Sequence, residues 1–146
     1  MTKFISIDPG KFKCGLIFAD FKSKIVHKAI VIESRYLVQN IKTLIGKDKN
    51  IKILIGNGTT SKDHVKSLSF LENDLTIVEE KNTTYRSRQR YFKIFPLKGI
   101  KKFLPRDIFI QNINLDAISA LVILEDYLNC EFTLNCDYIS KTWMKQ

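Results

Sequence analysis

Glycine, proline, cysteine and histidine are all scarce in this 146-residue chain, which has 6 Gly, 3 Pro, 3 Cys and 2 His. So little glycine and proline beside plentiful aliphatic residues excludes a disordered chain. Cys14, Cys130 and Cys136 are odd in number and form no C-x-x-C, so neither a disulfide framework nor a zinc site is supported. The expectation is reduced, structural thiols in a cytoplasmic protein. Long apolar runs are missing too. Stretches such as residues 117–124 fall well short of the ~18 residues that span a bilayer, so no membrane association is expected. The opening Met1-Thr2-Lys3-Phe4-Ile5-Ser6-Ile7-Asp8 has no secretory h-region and enters a strand pattern at once. A chain of this size removes roughly 70% of its unfolded surface on folding, enough for one domain. That excludes two-lobed architectures such as actin-like ATPases and sugar kinases. What is present suits a packed core: 45% hydrophobic residues, with 10 Phe, 5 Tyr and 1 Trp.

Acidic residues are outnumbered, 15 against 24 Lys and Arg, and the excess sits in one place. Residues 81–106 hold nine cations (Lys81, Arg86, Arg88, Arg90, Lys93, Lys98, Lys101, Lys102 and Arg106) and no Asp or Glu. Outside them fifteen cations balance fifteen acids. Tyr85, Tyr91, Phe92, Phe95 and Phe103 are interleaved with these charges. Cations that neutralise phosphates, beside rings that stack on bases, suit a nucleic-acid surface. The plainer reading is a solvated basic face with the rings turned inward, and at least two of the five rings are expected in the core.

Apolar spacing orders the elements. Strands are expected at residues 3–8, 14–19 and 24–33, an antiparallel meander. A helix follows over 34–45, with Ser34 as N-cap, Gly46 as C-cap, and Leu37, Ile41, Leu44 and Ile45 on one face. Then come a strand at 51–55, a helix at 61–71, a strand at 75–79, a helix from Thr83 or Thr84 to Phe95, a loop at 96–105 and a last helix at 114–128. Strand-helix-strand units pair in parallel, so the expected fold is α/β, a mixed five-stranded sheet flanked by helices with the first strand central.

Ligands of such sheets gather at the carboxyl ends of the parallel strands. Asp8 ends the first strand, Glu79 and Glu80 end the last, and Asp116 opens the final helix. Singly each has a plain role: a turn residue, a solvated strand end, a favourable charge near a helix N-terminus. Together they form an oxygen cluster suited to one or two Mg2+ or Mn2+ ions and to phosphodiester hydrolysis.

These residues resemble a known family. Asp8-Pro9-Gly10-Lys11-Phe12-Lys13-Cys14-Gly15-Leu16, closing at Ala19-Asp20, is similar to the opening D-x-G-x-x-R-x-G…D of the YqgF group of RuvC-like nucleases, which have the RNase H fold. Val78-Glu79-Glu80-Lys81-Asn82-Thr83-Thr84 resembles the family's strand-end D-E-R block followed by Thr, and residues 116–128 resemble its closing D-x-x-A-A…L…L helix. The three blocks occur in family order, and the chain looks most like divergent cyanobacterial, resolvase-like members.

The resemblance implies an RNase H-like nuclease domain at residues 1–128, with 129–146 a C-terminal extension of unassigned structure. It implies Asp8, Glu80 and Asp116 as catalytic, metal-binding carboxylates, with Glu79 less critical. Lys13, Lys81, Thr83, Arg86, Arg88, Arg90 and Lys93 are the expected nucleic-acid contacts. The implied activity is metal-dependent cleavage of structured nucleic acid, RNA before DNA, as in maturation of ribosomal RNA precursors with the ribosome as a partner. The alternatives are a Holliday junction resolvase-like DNA endonuclease and a catalytically silent RNA- or ribosome-binding protein. Lys13 and Lys81 stand where the family has Arg, and Lys cannot reproduce a bidentate phosphate clamp. Ser119 stands where a RuvC resolvase carries a fourth acid, which favours the YqgF side. A nucleotide site at Asp8-Pro9-Gly10 and Gly56-Asn57-Gly58-Thr59-Thr60 has little support, because no G-x-x-x-x-G-K-[ST] is present. The oligomeric state is not written in these patterns.

Overall fold

Period-2 alternation governs the first residues of the chain. Phe4, Ser6 and Asp8 share one side of strand β1 (Lys3–Asp8), and Ile5 and Ile7 share the other. The computed structural model describes residues 2–48, 50–110 and 115–135. After β1 come β2 (Lys13–Asp20), β3 (Ile25–Glu33), α1 (Leu37–Ile45), β4 (Ile51–Gly56), α2 (Ser61–Ser67), β5 (Leu75–Val78), α3 (Thr83–Ile94), a short α4 (Asp107–Ile110), α5 (Asp116–Leu128) and β6 (Thr133–Leu134). Among the described residues the strands form one mixed sheet in the order β5-β4-β1-β2-β3-β6. β1 lies between the antiparallel β2 and the parallel β4, and β5 extends the parallel side.

The sheet has six strands, not five. β6 lies parallel to β3, pairing Ile25 with Thr133 and Val26 with Leu134. It is two residues long, too short to carry an alternation that could be recognised, and it falls in the stretch left unassigned from sequence. Cys136 and the expected helix start at residue 114 lie outside the described residues. Other local expectations change as well: the helix expected over residues 61–71 stops at Ser67 and is followed by a 3-10 turn, Ser69–Asp74. Ser34 opens a 3-10 turn (Ser34–Tyr36) ahead of α1, and its hydroxyl donates to the carbonyl of Gly10 (2.8 Å) instead of capping the helix. The loop after α3 contains a 3-10 turn, Gly99–Phe103. Gly46 does close α1, at φ +53°, with its amide on the carbonyl of Lys42 (3.0 Å).

Each face of the sheet has its own core. On one, Ile5, Ile7, Leu16, Ile53 and Ile55 meet Leu37 and Ile41 of α1 and Leu68 and Leu71 after α2. On the other, Phe4, Ile17, Ala19 and Leu54 meet Ala120, Leu121 and Leu124 of α5, with Phe132 beyond. Each buried Leu or Ile contributes about 1.5–3 kcal/mol. Residues 117–124 are buried without a break, because α5 packs on the sheet with one side and on α3 with the other. Among the described residues no helix is long and apolar enough to cross a membrane.

Candidate metal centre

Two glycines decide what stands beside Asp8. Gly15 faces Asp8 in the β1–β2 register, and a methyl group there would lie 1.9 Å from the backbone oxygen of Asp116. The first turn of α5 therefore rests directly on β2, next to Asp8, and only a residue without Cβ admits it. On the other flank, Gly56 ends β4. A methyl there would lie 1.8 Å from Oε1 of Glu80 and 2.9 Å from Cδ1 of Ile123. The side chain of Glu80 thus lies over the end of β4, in space that Gly56 leaves open.

The three acids named from sequence are brought together. Burial pushes the carboxyl of Asp8 up from 3.8 to about 7, helped by the charges of Glu80 and then Asp116, against a hydrogen bond with Ser119. Burial also raises Glu80, offset by a hydrogen bond with Thr83. Oε1 of Glu80 is buried without a hydrogen-bond partner. Glu79, one residue away, is exposed.

A hydroxyl has a single proton to donate, which constrains the polar chain behind Asp8. Ser87 donates to the carbonyl of Thr83 (2.6 Å), so across the 2.9 Å contact between Ser87 and Ser119 the donor is Ser119. Ser119 is also the hydrogen-bond partner of Asp8, and that bond works against the rise caused by burial.

The turn after β1 is held from beneath. Thr60 donates to the carbonyl of Pro9 (3.0 Å), and Ser34 and Nε2 of His64 donate to that of Gly10 (2.8 and 2.9 Å). A carbonyl can only accept, so Nε2 of His64 carries a proton. Burial, against a hydrogen bond with Ser34, raises the Cys14 thiol, which sits 3.9 Å from that nitrogen and is a core residue. Sequence reasoning gave no role to Thr60, His64 or Ser87, and read Ser119 only as a missing acid. Gly56 and Thr60 were visible as part of a Gly-Asn-Gly-Thr-Thr run, but the role of Gly56 is steric.

The cations of α3 are largely engaged. Arg86 forms a two-pronged pair with Asp126, and Lys93 pairs with Glu131. Arg90 holds Glu125 through Nε and Nη2 (2.9 and 2.8 Å) and also donates to the carbonyl of Phe132 (2.8 Å). Only 12% of the Arg90 side chain and 10% of that of Glu125 are exposed, so this pair is a structural strut between α3 and the end of α5. Arg88 reaches Asp107 at 3.6 Å on the surface. Lys13 and Lys81 are exposed, and Thr83 is half-buried beside Glu80. Of the five aromatics, Phe92 is buried, Tyr91 and Phe95 are half-buried, and Tyr85 and Phe103 are exposed.

Among the described residues no three His, Cys, Asp or Glu side chains stand as a ready metal-ligand set. The chemistry of the donors nevertheless fits a hard dication. All are carboxylate oxygens, one is orphaned, and burial together with the charges of Glu80 and Asp116 raises Asp8. No family model matches the chain, and a search of curated proteins gives no match.

Proposed function

We propose that this protein is a divalent-metal-dependent nuclease of the RNase H-like, YqgF type, hydrolysing phosphodiester bonds in structured nucleic acid. RNA is favoured over DNA, with ribosomal RNA precursors as the substrate class. One observation carries the reading: Asp8, buried at the carboxyl end of the central strand, feels the charges of Glu80 and Asp116, which come from distant parts of the chain. The central position of β1, between a meander and parallel strands, supports the same family resemblance.

In this reading Asp8, Glu80 and Asp116 hold Mg2+ or Mn2+. Bound there, the ion supplies Lewis acidity and an activated water for attack on phosphorus. The chain's own residues set the stage for that chemistry. Gly15 and Gly56 bring the carboxylates close, Ser119 and Thr83 orient Asp8 and Glu80, and the bonds to Pro9 and Gly10 fix the turn that follows Asp8.

The test is cleavage of labelled structured RNA and branched DNA with Mn2+, comparing wild type and Asp8→Asn. The expected result is at least a ~10^3-fold loss of cleavage with nucleic-acid binding retained, a loss on the scale of removing one transition-state-stabilising group. Equal cleavage by both proteins rejects the proposal. Tight, salt-sensitive binding without cleavage by wild type in any metal moves the protein to the silent RNA- or ribosome-binding class.

A further inference from the structure

Between the end of α3 and the start of α4 the chain forms an arm that puts large apolar side chains into water. Ile100 is 82% exposed and Phe103 89%, while Leu104 and Ile108 are also exposed. In a 3-10 turn residues three apart eclipse one another, so Ile100 and Phe103, both within Gly99–Phe103, share one side. Soluble surfaces rarely keep such residues together without a use.

The charge around this apolar edge has one sign. Lys98, Lys101 and Lys102 belong to the arm and, among the described residues, enter no ion pair, in contrast to Arg86, Arg90 and Lys93. The guanidinium of Arg106 lies over the ring of Phe92 (5.2 Å), and Arg88 reaches Asp107, so the base of the arm is tied to α3. Along the chain, α3 before the arm begins at Thr83 beside Glu80, and α5, which follows α4, begins with Asp116.

We propose that this arm is a stacking clamp for unpaired bases, with Phe103 and Ile100 against the base faces and Lys101 and Lys102 on the flanking phosphates. A single strand leaving a duplex combines flat apolar faces with a dense row of negative charge, and the arm offers the complement of both. The inference rests on the nuclease reading and names its substrate class: structured RNA with a single-stranded tail.

The experiment measures binding of the full chain in EDTA, where cleavage plays no part. Two probes are used, a fluorescent blunt RNA hairpin and the same hairpin with an eight-nucleotide tail. Wild type binds the tailed probe more tightly. Phe103→Ala, a surface change, lowers affinity for the tailed probe by about ten-fold or more and leaves the blunt hairpin unaffected, and Phe103→Trp keeps the preference. Lys101→Ala and Lys102→Ala weaken the tailed probe more than the blunt hairpin, each reducing its salt slope by about one. No tail preference in wild type, or equal loss on both probes in Phe103→Ala, overturns the clamp. So does binding to vesicles of anionic phospholipid, run as a third probe, that Phe103→Ala abolishes while it leaves both hairpins unaffected. If the tail preference holds and no metal supports cleavage, the nuclease reading fails alone. If cleavage needs Asp8 while Phe103→Ala binds the tailed probe as wild type does, the clamp fails alone.

Discussion

The two ends of α5 treat charge in opposite ways. At its C-terminal end Glu125 and Asp126 are matched by Arg90 and Arg86, and Glu125 also takes the amide of Phe132 (2.8 Å). At its N-terminal end Asp116 joins Asp8 and Glu80, where like charge accumulates, Asp8 retains a proton to about 7 and an oxygen of Glu80 lacks a partner. The first arrangement is satisfied within the chain. The second keeps like charges together, the arrangement that the proposed metal would relieve. The carboxylates of one helix are thus divided between ion-paired struts at one end and the candidate site at the other.

The sharpest way to break this contrast is Asp8→Asn followed across pH. The unfolded chain releases the Asp8 proton near 3.8, whereas the folded chain holds it to about 7. Between those values the unfolded state binds fewer protons, so stability falls as pH rises and levels off above 7. The substitution removes that loss: urea melts should show the variant gaining up to about 4 kcal/mol over wild type at pH 8 and nothing at pH 3. An unchanged difference between the two pH values would show that Asp8 is not strained. Next comes Arg90→Ala, which strands Glu125 inside the protein and should cost about 3 kcal/mol or more in the same melts. A loss under 1 kcal/mol would make the pair a surface ornament.

The glycines sharpen the comparison at smaller scale. Gly15→Ala drives a methyl into the backbone of α5 and should cost about 1–3 kcal/mol, whereas Gly56→Ala meets the movable end of Glu80 and should cost less. Gly56→Ala should instead weaken Mn2+ binding, read by calorimetry; unaltered binding would remove Glu80 from the ligand set. Smallest of all is Lys93→Ala, which breaks an exposed pair with Glu131 and should leave the thermal midpoint where it was. A clear drop would show that the whole α3–α5 seam acts as one network.

Much of this architecture is legible from residue order, for reasons that particular elements make plain. β1 and β4 announce themselves because Ile recurs at every second position between turn signals. The side of the sheet on which Asp8 lies follows from the parity it shares with Phe4. β6 could not be read, since two residues carry no period. The fate of the basic helix was hidden for a different reason. Arg86, Arg90 and Lys93 meet partners 35 to 40 residues onward, and no local pattern reports that α3 and α5 lie side by side. A run of cations looked like a phosphate grip, yet Arg86 and Arg90 brace a neighbouring helix and Lys93 pairs with Glu131 just beyond it. The site itself was half visible: the acids stood out by position, while the Ser87–Ser119 relay and the hydroxyl and imidazole props under Pro9 and Gly10 depend on contacts that only folding creates.

Because α5 is enclosed along its middle, it moves as a rod or not at all. Its thirteen residues span about 20 Å. A lesion at the Arg90 end therefore travels to Asp116 without touching any residue between them. Under the proposed nuclease function, a screen for lost cleavage would score substitutions at the Arg90 end alongside those of the three acids, although they lie a full helix away.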